Sequence, residues 1–475
     1  MAIFVGILKS GKMSNPTKNY TSAFVSVTFL FFMWGFMTVL NDILIPYLKN
    51  VFDLNHTRAM LVQFSFFTAY FVGSFIYFVI SASYGDPINR IGYKKGLISG
   101  LLVSGVGALL FYPAAQFHVY GLFLGALFVL GLGFTLLQIA ANPYVSILGP
   151  ERSASSRLNL AQGFNSLGTT IGPVVGGFLV FTFFKEAQGS EAVKIPYLFF
   201  ALVFFLMAGF IRLTPLPRFT NPDEVAGGIG ALKYRQLVFG MVAIFMYVGG
   251  EVSIGSMMIN YLELPEIAGL TETEASKFVA FYWGGQMIGR FLGAISLSKM
   301  QNKLLKSGLM VLVALVSFAV VGFVSSWETA LVYGLFLVVN LIAFFFGGSL
   351  PHRTLYLFSG INLVLLVIAL SNTGQVAMWS IVGIGLFNSI MWSNIFTLAI
   401  SGLGKHTSQG SSLLVMMILG GALLPLLMGY VADQFGVHMS YAVPLLSYVY
   451  IAFYGASGYK PHLHHQSQIV EKQEL

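Results

Sequence analysis

Residues 24–47 read FVSVTFLFFMWGFMTVLNDILIPY, an apolar run that contains a single acidic residue, Asp42. A helix needs about 20 such residues to cross a bilayer, so this run is long enough. A carboxylate at membrane depth is unfavourable by about 2.5 kcal/mol or more unless it is paired or protonated, and such residues mark ion, proton or substrate pathways. The stretch therefore predicts a membrane-spanning helix in a protein that moves a solute.

The composition of the whole chain also indicates a membrane protein. Of its 475 residues 56% are apolar, 15% are aromatic and 9% are charged, and the mean hydropathy is +0.80. Soluble domains carry about 25% charged residues. The net charge of +8 comes from basic residues that form no single patch, so nucleic acid is not an expected partner. Cysteine is absent, which excludes disulfides, thiolate metal sites and a cysteine nucleophile.

Apolar runs of about 20 residues divide into six before a polar linker and eight after it. The predicted spans are 24–47, 59–82, 96–114, 118–146, 158–184, 196–213, 236–262, 276–298, 305–326, 328–347, 354–371, 375–401, 410–434 and 440–457. We therefore expect an all-α membrane protein of 14 helices in two bundles, with a substrate site between the bundles near mid-membrane. The expected segments are a tail 1–23, a six-helix bundle 24–213, a linker 214–235, a second bundle 236–457 and a tail 458–475.

The distribution of basic residues predicts the orientation, because Lys and Arg concentrate on the cytoplasmic side. With the N-terminus inside, 20 of the 25 Lys and Arg residues fall in inner segments. The five exceptions are Lys49, Arg58, Lys185, Lys194 and Lys277. Both termini are expected in the cytoplasm of a multi-pass plasma-membrane protein. No cleaved signal peptide is expected, since the first long run spans and lacks a small-residue cleavage site, and either Met1 or Met13 is the initiator.

Small residues and one basic loop add detail to this expectation. Gly168, Gly172 and Gly176 in the fifth span, with Gly96 and Gly100 in the third, predict close approach of helices.

Residues 84–96 read YGDPINRIGYKKG and resemble the major facilitator loop pattern G-x-x-x-D-R-x-G-[RK]-[RK], departing from it at Asn89 and Tyr93. The resemblance implies a conformational loop, although a merely positive-inside loop is the alternative. Its candidate residues are Gly85, Asn89, Arg90, Gly92 and Lys94.

Five longer phrases resemble one family of the major facilitator superfamily, the fucose, galactose and glucose symporters. They are LNDILIP, QIAANPYVSILGP, SRLNLAQGFNSLG, GLFNSIMWSNIFTLAI and TSQGSSLLVMMILGGALLPLLMGYVAD. The phrases occur in order from the first span to the thirteenth, and they are most similar to the glucose/galactose branch. The resemblance implies the major facilitator fold and transport of a hexose with a cation by alternating access, in a bacterial inner membrane.

The chain departs from that family in two places. Family members have 12 spans, whereas this chain inserts two at about residues 303–349, which we interpret as peripheral packing, with a role in oligomerisation as the alternative. The fucose transporters that it resembles carry a sugar- and proton-binding Glu where this chain has Gln138. A second buried acid appears instead at Glu251 in the seventh span. Because position 138 has no titratable group, the case for coupling to protons is weaker and the case for coupling to Na⁺ is stronger. Both coupling ions are kept as alternatives.

Residues three or four apart on a helix share a face, which groups the polar residues of the spans into candidate sites. Asp42 and Glu251 are the candidates for cation coupling, with a possible Na⁺ near Asp42 and no other metal. The candidate substrate ligands are Trp34, Thr38, Asn41, Gln138, Asn142, Gln162, Asn165, Tyr247, Gln286, Asn388 and Trp392. Carboxamides and carboxylates suit sugar hydroxyls, and aromatic rings suit the apolar face of a hexose. The alternative role of any single amide is a hydrogen bond between helices. The alternative role of either acid is a structural ion pair, for example with Arg290.

The expected protein is a secondary active transporter that imports a hexose by symport with Na⁺ or H⁺. The expected hexose is glucose or galactose, with mannose as a further candidate. An L-fucose:proton symporter is the first alternative and a non-transporting sugar sensor the second. An enzyme is not expected, because the loops offer few catalytic acids. A channel is not expected either, because the sequence shows no pore loop. The expected partners are the hexose and the lipid bilayer, the expected state is a monomer, and no cofactor beyond the coupling ion is implied.

Overall fold

The structure of the protein is a computed structural model that describes residues 20–54, 61–178, 193–219 and 228–461; inside these ranges the side chains of 38–47, 49–50, 63, 173–178 and 272–273 are not described. The first half of the chain forms α1 (Thr21–Val51), α2 (Leu61–Tyr84), α3 (Tyr93–Phe117), α4 (Tyr120–Ile147), α5 (Ala154–Phe178) and α6 (Lys194–Leu213). The second half forms α7 (Arg235–Glu263), α8 (Glu272–Ser296), α9 (Lys303–Val324), α10 (Trp327–Gly347), α11 (Pro351–Ser371), α12 (Gly374–Ile400), α13 (Gly404–Phe435) and α14 (Val437–Gly458).

The prediction of an all-helical membrane protein is confirmed, and within the described ranges each predicted span coincides with one of these helices to within a few residues. The predicted start of the second span, 59–60, and the predicted end of the fifth, 179–184, lie outside the described residues. Eleven helices in the described ranges are long and apolar enough to span a membrane. Of the other three, α1 has described side chains only in part, over Thr21–Met37 and a few residues beyond. Helices α5 and α8 are less apolar because they carry polar residues that face the centre of the molecule.

The helices pack in two groups with matching internal arrangements. In the first group α1 packs on α5, α2 on α4, and α3 on both α4 and α6. In the second group α7 packs on α13, α8 on α12, and α11 on both α12 and α14. The groups meet along two seams, one between α5 and α8 and the other between α2 and α13. Loops 85–92, 148–153 and 401–403 lie on one side of the membrane together with the linker, and we call this the linker side.

Glycine allows α1 and α5 to approach until their backbones touch. A Cβ atom on Gly168 would lie 2.2 Å from the Phe32 carbonyl oxygen, and one on Gly35 would lie 2.1 Å from that of Asn165. In α3 a Cβ atom on Gly100 would lie 2.9 Å from the Gly133 carbonyl oxygen of α4. These contacts agree with the expectation of close packing at Gly168 and Gly100.

Replacing Gly168 with Val should force α1 and α5 apart, because the obstructing atoms are backbone and cannot move aside. Overpacking of this kind costs about 1–3 kcal/mol. We expect a lower thermal unfolding temperature for the purified protein, whereas Gly209→Val should have little effect on packing, since no atom lies within 4 Å of its Cβ position. An unfolding temperature for Gly168→Val equal to that of the Gly209 control would contradict this packing.

The predicted insertion forms a helical hairpin, α9 and α10, on the outside of α8, α11 and α12. Its few polar contacts hold it in place: the Asn340 side chain donates to the Leu386 carbonyl oxygen at 3.2 Å, and the Tyr333 hydroxyl to the Phe281 carbonyl oxygen at 3.2 Å. Only 22% of the most apolar stretch of α9 is buried against the rest of the protein. Most of its surface therefore faces the bilayer, which agrees with a peripheral position.

Candidate functional site

A cavity of about 230 Å³ lies between the two halves of the protein. Seven helices, α1, α2, α4, α5, α7, α8 and α12, and the middle of α13 contribute to its wall. Among the described residues, the wall combines aromatic rings with carboxamides, one carboxylate and one guanidinium. Its residues are Trp34, Phe66, Phe67, Tyr70, Gln138, Gln162, Asn165, Thr169, Tyr247, Val248, Glu251, Arg290, Trp392 and Ile418.

Carboxamides form the polar part of the wall in the first half. The Gln162 Nε2 atom donates to Asn142 Oδ1 at 3.3 Å, and Asn142 Nδ2 donates to Gln138 Oε1 at 3.4 Å. This chain orients Gln138 on α4 and Gln162 on α5 toward one space. The Asn165 Nδ2 atom donates to the Phe31 carbonyl oxygen at 2.9 Å, which ties α5 to α1 beside the cavity.

In the second half, Glu251 is the buried carboxylate of the site, with 9% of its surface exposed. The Tyr247 hydroxyl donates to its Oε1 atom at 2.6 Å, and these two residues lie four apart on α7, as a helical face requires. The Tyr282 hydroxyl of α8 donates to the Glu251 carbonyl oxygen at 3.0 Å. The guanidinium of Arg290 lies within electrostatic reach of the carboxylate.

Arg290 connects the two halves at the level of the cavity. Its Nη2 atom donates to Gln286 Oε1 at 3.2 Å and its Nε atom to the Ser389 carbonyl oxygen at 3.2 Å, both in the second half. Its Nη1 atom donates to the hydroxyl of Ser166, which belongs to α5 in the first half. The α12 helix is interrupted between Asn388 and Met391, beside the carbonyl that Arg290 uses.

Aromatic side chains cover the remaining wall. In the first half Tyr70 contacts both Gln138 and Trp34, and the Trp34 ring packs on Phe134 at a centroid distance of 6.3 Å. Trp392 lies in the second half, parallel to Phe396 at 6.1 Å. Among the described residues its buried Nε1 atom has no hydrogen-bond partner. The cavity therefore offers flat apolar faces with an indole donor beside the amides and the acid.

The structure brings seven of the predicted site residues to the cavity wall, from five different helices. They are Trp34, Gln138, Gln162, Asn165, Tyr247, Glu251 and Trp392. Thr38, Asn41 and Asp42 lie on α1 beyond Trp34, but their side chains are outside the described part of the structure, as is any Na⁺ site near Asp42. No group of three His, Asp or Glu residues that could hold a metal occurs in the described ranges.

Asn142, Gln286 and Asn388 are not among the residues that line the cavity, and their role as direct ligands stays a prediction. Asn142 and Gln286 orient Gln138 and Arg290, as given above. Asn388 donates to the Tyr282 hydroxyl at 2.8 Å and accepts from the Tyr448 hydroxyl at 2.8 Å and from Asn362 at 2.9 Å. These bonds tie Asn388 to α8, α11 and α14 and fix the position of Tyr282.

Several wall residues were not among the sequence candidates. Phe66, Phe67 and Tyr70 come from α2, which has no acidic or amide residue in its central part to draw attention to a face. Arg290 shares a helical face with Tyr282 and with Gln286, four residues before it, and this spacing is the sequence signal that directs it toward the site, although it was not among the candidate ligands.

The loop that resembles the major facilitator pattern folds around Asp86. Its carboxylate caps a short helix, Pro87–Ile91, by accepting from the backbone N–H of Ile88 at 2.9 Å, and it accepts from the Tyr77 hydroxyl at 2.6 Å. Gly85 and Gly92 flank the turn with φ of 85° at each, a conformation that side chains disfavour. The two glycines of the pattern, and Asp86 at one of its variable positions, are therefore structural requirements of this turn.

The basic and amide residues of the loop bind backbone carbonyls. Lys94 Nζ donates to the Thr214 carbonyl oxygen at the end of α6 at 2.8 Å, and Arg90 donates to the Tyr84 carbonyl oxygen. A cation at a helix C-terminus is the favourable arrangement. Asn89 Nδ2 donates across to the Lys405 carbonyl oxygen of the second half at 2.6 Å, so the loop joins the two halves.

Further hydrogen bonds between the halves close the linker side below the cavity. They pair Ser155 with Thr397 at 2.5 Å, Asn159 with Asn394 at 3.2 Å, Tyr93 with Ser408 at 3.2 Å and Ser81 with Gln409 at 3.3 Å. Glu151 also accepts from Ser401. A second, larger cavity of about 710 Å³ lies at this surface among the loops, and it shares no residue with the central wall. The central cavity is therefore separated from the linker side in this conformation.

Burial raises the pKa of the Asp86 carboxyl above its ordinary value of 3.8, although its hydrogen bonds oppose the shift. A raised folded-state pKa means that the folded protein binds this proton more tightly than the unfolded chain. The resulting stabilisation is present at acid pH and is lost as pH rises through the folded-state pKa. Asp86→Asn keeps an oxygen acceptor but does not titrate. We expect the unfolding temperature of wild type minus that of Asp86→Asn to fall between pH 4 and pH 7; a constant difference would contradict the shift.

Comparisons with known proteins match this chain over nearly its whole length. A family profile described as Major Facilitator Superfamily matches residues 24–354. A glucose/galactose transporter of Brucella abortus is 44% identical over 453 residues, covering 94% of this chain and 96% of that protein. The L-fucose-proton symporter of Escherichia coli is 30% identical over 467 residues, covering 93% and 94%. A crystal structure of the Escherichia coli fucose:proton symporter superposes with a TM-score of 0.72 at 27% identity, covering 93% of this chain and 99% of that one.

Proposed function

The chain belongs to the major facilitator superfamily, within the family of glucose/galactose transporters and L-fucose-proton symporters, and from that premise we propose that it imports a hexose together with a cation. The observation that carries the proposal is the central cavity, where both halves present amides, a carboxylate and aromatic rings to one space. The members of this superfamily are transporters, and the protein is not an enzyme.

The chemistry of the wall suits a sugar. Each carboxamide of Gln138, Gln162 and Asn165 has both donor and acceptor atoms, which lets one side chain engage two neighbouring hydroxyls. The rings of Trp34 and Trp392 can cover the C–H face of a hexose, and the Trp392 Nε1 donor is free to bind a hydroxyl. A pocket with apolar walls and a few placed polar groups is the usual form of a small-molecule site.

Glucose or galactose is the proposed substrate, with mannose as a possible third. The relative named for glucose and galactose shares 44% identity with this chain, against 30% for the L-fucose relative. Gln138 provides an uncharged amide where the fucose transporters carry a titratable acid. An L-fucose:proton symporter remains the second candidate, because the fucose symporter has the same fold over nearly the entire chain.

We assign coupling first to Asp42. Glu251 is already held by the Tyr247 hydroxyl and lies near the positive charge of Arg290, so it has less need of a bound cation. Asp42 lies two turns beyond Trp34 on α1, about 12 Å along the helix from that wall residue. Binding of H⁺ or Na⁺ would neutralise the acid and permit the loaded site to close.

The linker side is proposed to be cytoplasmic, in a bacterial inner membrane. When both termini lie on that side, it carries 19 of the 25 Lys and Arg residues, not counting Arg290 at the cavity wall. The hydrogen bonds that close this side, such as Asn89 to Lys405 and Ser155 to Thr397, would then hold the cavity closed to the cytoplasm. Release of the sugar requires that they break as the halves rock.

Binding to the purified protein tests the site separately from transport. Labelled glucose should bind and be displaced by galactose, and Gln162→Ala should weaken binding by about tenfold, as loss of one hydrogen bond with a partner left unpaired predicts. Gln301→Ala, an exposed amide outside the cavity, is the control. Displacement by L-fucose alone would favour the second candidate, and no binding of any hexose would overturn the assignment.

A further inference from the structure

A second cavity within the membrane lies beside the seam of α5 and α8, and the inserted helix α9 forms its outer wall. Its volume is about 620 Å³. Gly284 and Met287 of α8 form its floor, Leu160 and Thr170 of α5 one side, and residues of α9 between Leu312 and Val324 the other. We call this space the lateral cleft. It exists only because the inserted hairpin extends the wall of the second half past the seam.

The lateral cleft presents no unsatisfied hydroxyl to a ligand. Three of its lining residues carry hydroxyls, and each of these donates to a backbone carbonyl: Thr170 to Ser166 at 2.8 Å, Ser317 to Val313 at 2.8 Å and Tyr333 to Phe281 at 3.2 Å. All other lining residues are apolar. A ligand with hydroxyl or amide groups would leave them unpaired there, whereas a hydrocarbon chain would not.

Small residues on α8 keep the lateral cleft open. Gly284 faces it, and no atom lies within 4 Å of the position that a Cβ would occupy. Across the cleft the side chains of Leu312, Val316 and Val320 are each at least 50% exposed. Because this depth of the membrane contains no water, the space is filled by lipid hydrocarbon or by another protein.

Basic residues surround the end of the lateral cleft on the linker side. Ile295 lines the cleft, and Lys299 follows it by only four residues, with Lys303 and Lys306 in the first turn of α9. Lys306 Nζ is bound to the Ser298 carbonyl oxygen and the Ser349 hydroxyl, while Lys303 is exposed. Lys303 lies about 14 Å along α9 from Leu312, a span that one acyl chain can reach. Lysines at the membrane surface attract anionic headgroups.

We propose that the lateral cleft binds one acyl chain of an anionic phospholipid from the linker-side leaflet, with its headgroup at Lys299 and Lys303. The site goes beyond sugar transport and does not depend on it. It also gives the inserted hairpin a role. Beside the floor of the cleft the two halves are in contact, because Phe164 packs on Phe291 at a centroid distance of 5.6 Å and Thr170 contacts Met287 at 3.9 Å. A bound chain would therefore lie against the seam that moves in alternating access.

Native mass spectrometry of the full chain tests this site without a transport assay. The protein would be released from nanodiscs made of equal parts phosphatidylglycerol and phosphatidylcholine. We expect wild type to retain one phosphatidylglycerol, and Gly284→Leu to retain it roughly tenfold less, because the leucine occupies the space of about two buried methylene groups. Gly360→Leu is the matched control, since its Cβ position is also free of neighbours but lies on α11.

Two further variants keep the test decisive if Gly284→Leu fails to fold. Val316→Trp fills the lateral cleft from α9, at a side chain that is 54% exposed, and should have the same effect. Lys299→Gln with Lys303→Gln should abolish the preference for phosphatidylglycerol over phosphatidylcholine. Equal lipid retention by wild type and both cleft variants would overturn the proposal. So would a wild-type dimer that the cleft variants disrupt, because a second copy would then be the occupant.

Discussion

Asp42→Asn should abolish concentrative uptake of sugar while leaving exchange of sugar across the membrane. Asparagine has the shape of the protonated acid but can neither release a proton nor attract Na⁺, so the loaded and empty sites no longer differ in charge. We expect the internal sugar concentration to stop at the external one, whatever gradient is imposed. Uptake into proteoliposomes under a gradient, beside counterflow with sugar inside, measures the two properties separately.

Asp53→Asn is the matched control for this variant. Asp53 follows the end of α1, is exposed, and has φ of 48°, which asparagine tolerates well. It should accumulate sugar as wild type does. Normal accumulation by Asp42→Asn would contradict its assignment and would move the coupling role to Glu251.

Arg290→Ala should lower sugar binding and uptake by about two orders of magnitude. Three effects combine: Ser166 and the Ser389 carbonyl lose their donor, Gln286 loses its partner, and Glu251 loses the nearby positive charge. Truncating a charged side chain that is hydrogen-bonded to buried groups costs about 2–5 kcal/mol, much of it because those groups are left unpaired. Equilibrium binding of labelled glucose to the purified variant measures the loss.

Second-site and conservative variants separate charge from geometry at Arg290. Adding Glu251→Gln to Arg290→Ala should recover part of the binding, because no buried charge is then unpaired. Arg290→Lys keeps the charge but not the fork that reaches three acceptors, so it should bind sugar more weakly than wild type. Lys277→Ala, an exposed cation on the same helix, is the control. Full binding by Arg290→Ala would show that the guanidinium serves neither the sugar nor the acid.

The helices were predictable from the sequence because a bilayer imposes one requirement on every span, an apolar run of sufficient length. This requirement predicted all fourteen helices, including the hairpin of α9 and α10. Close packing was likewise predictable where glycines repeat, since Gly168 allows backbone contact with Phe32. Both rules act locally along the chain, so no knowledge of neighbours was needed.

The site was only partly predictable, because its wall depends on which helices become neighbours. Gln138, Gln162 and Glu251 stood out as polar residues in apolar spans, and they reach the cavity. Asn388 is also a polar residue in an apolar span, but its amide forms hydrogen bonds with Tyr282, Tyr448 and Asn362 and does not line the cavity. Helical spacing alone cannot reveal such partners. Phe66, Phe67 and Tyr70 are ordinary residues in an apolar helix, and only the packing of α2 on α4 and α13 brings them to the site.

Uptake of labelled glucose into proteoliposomes, under an imposed proton gradient or an imposed Na⁺ gradient, tests the central claim most directly. Galactose, mannose and L-fucose serve as competitors, and a gradient of K⁺ alone serves as the control. Hexose symport predicts accumulation of glucose above the external concentration with one of the two gradients, and its inhibition by galactose. Binding of glucose without accumulation under either gradient would contradict transport and would favour a sugar sensor, while accumulation of L-fucose but not glucose would contradict the assigned substrate.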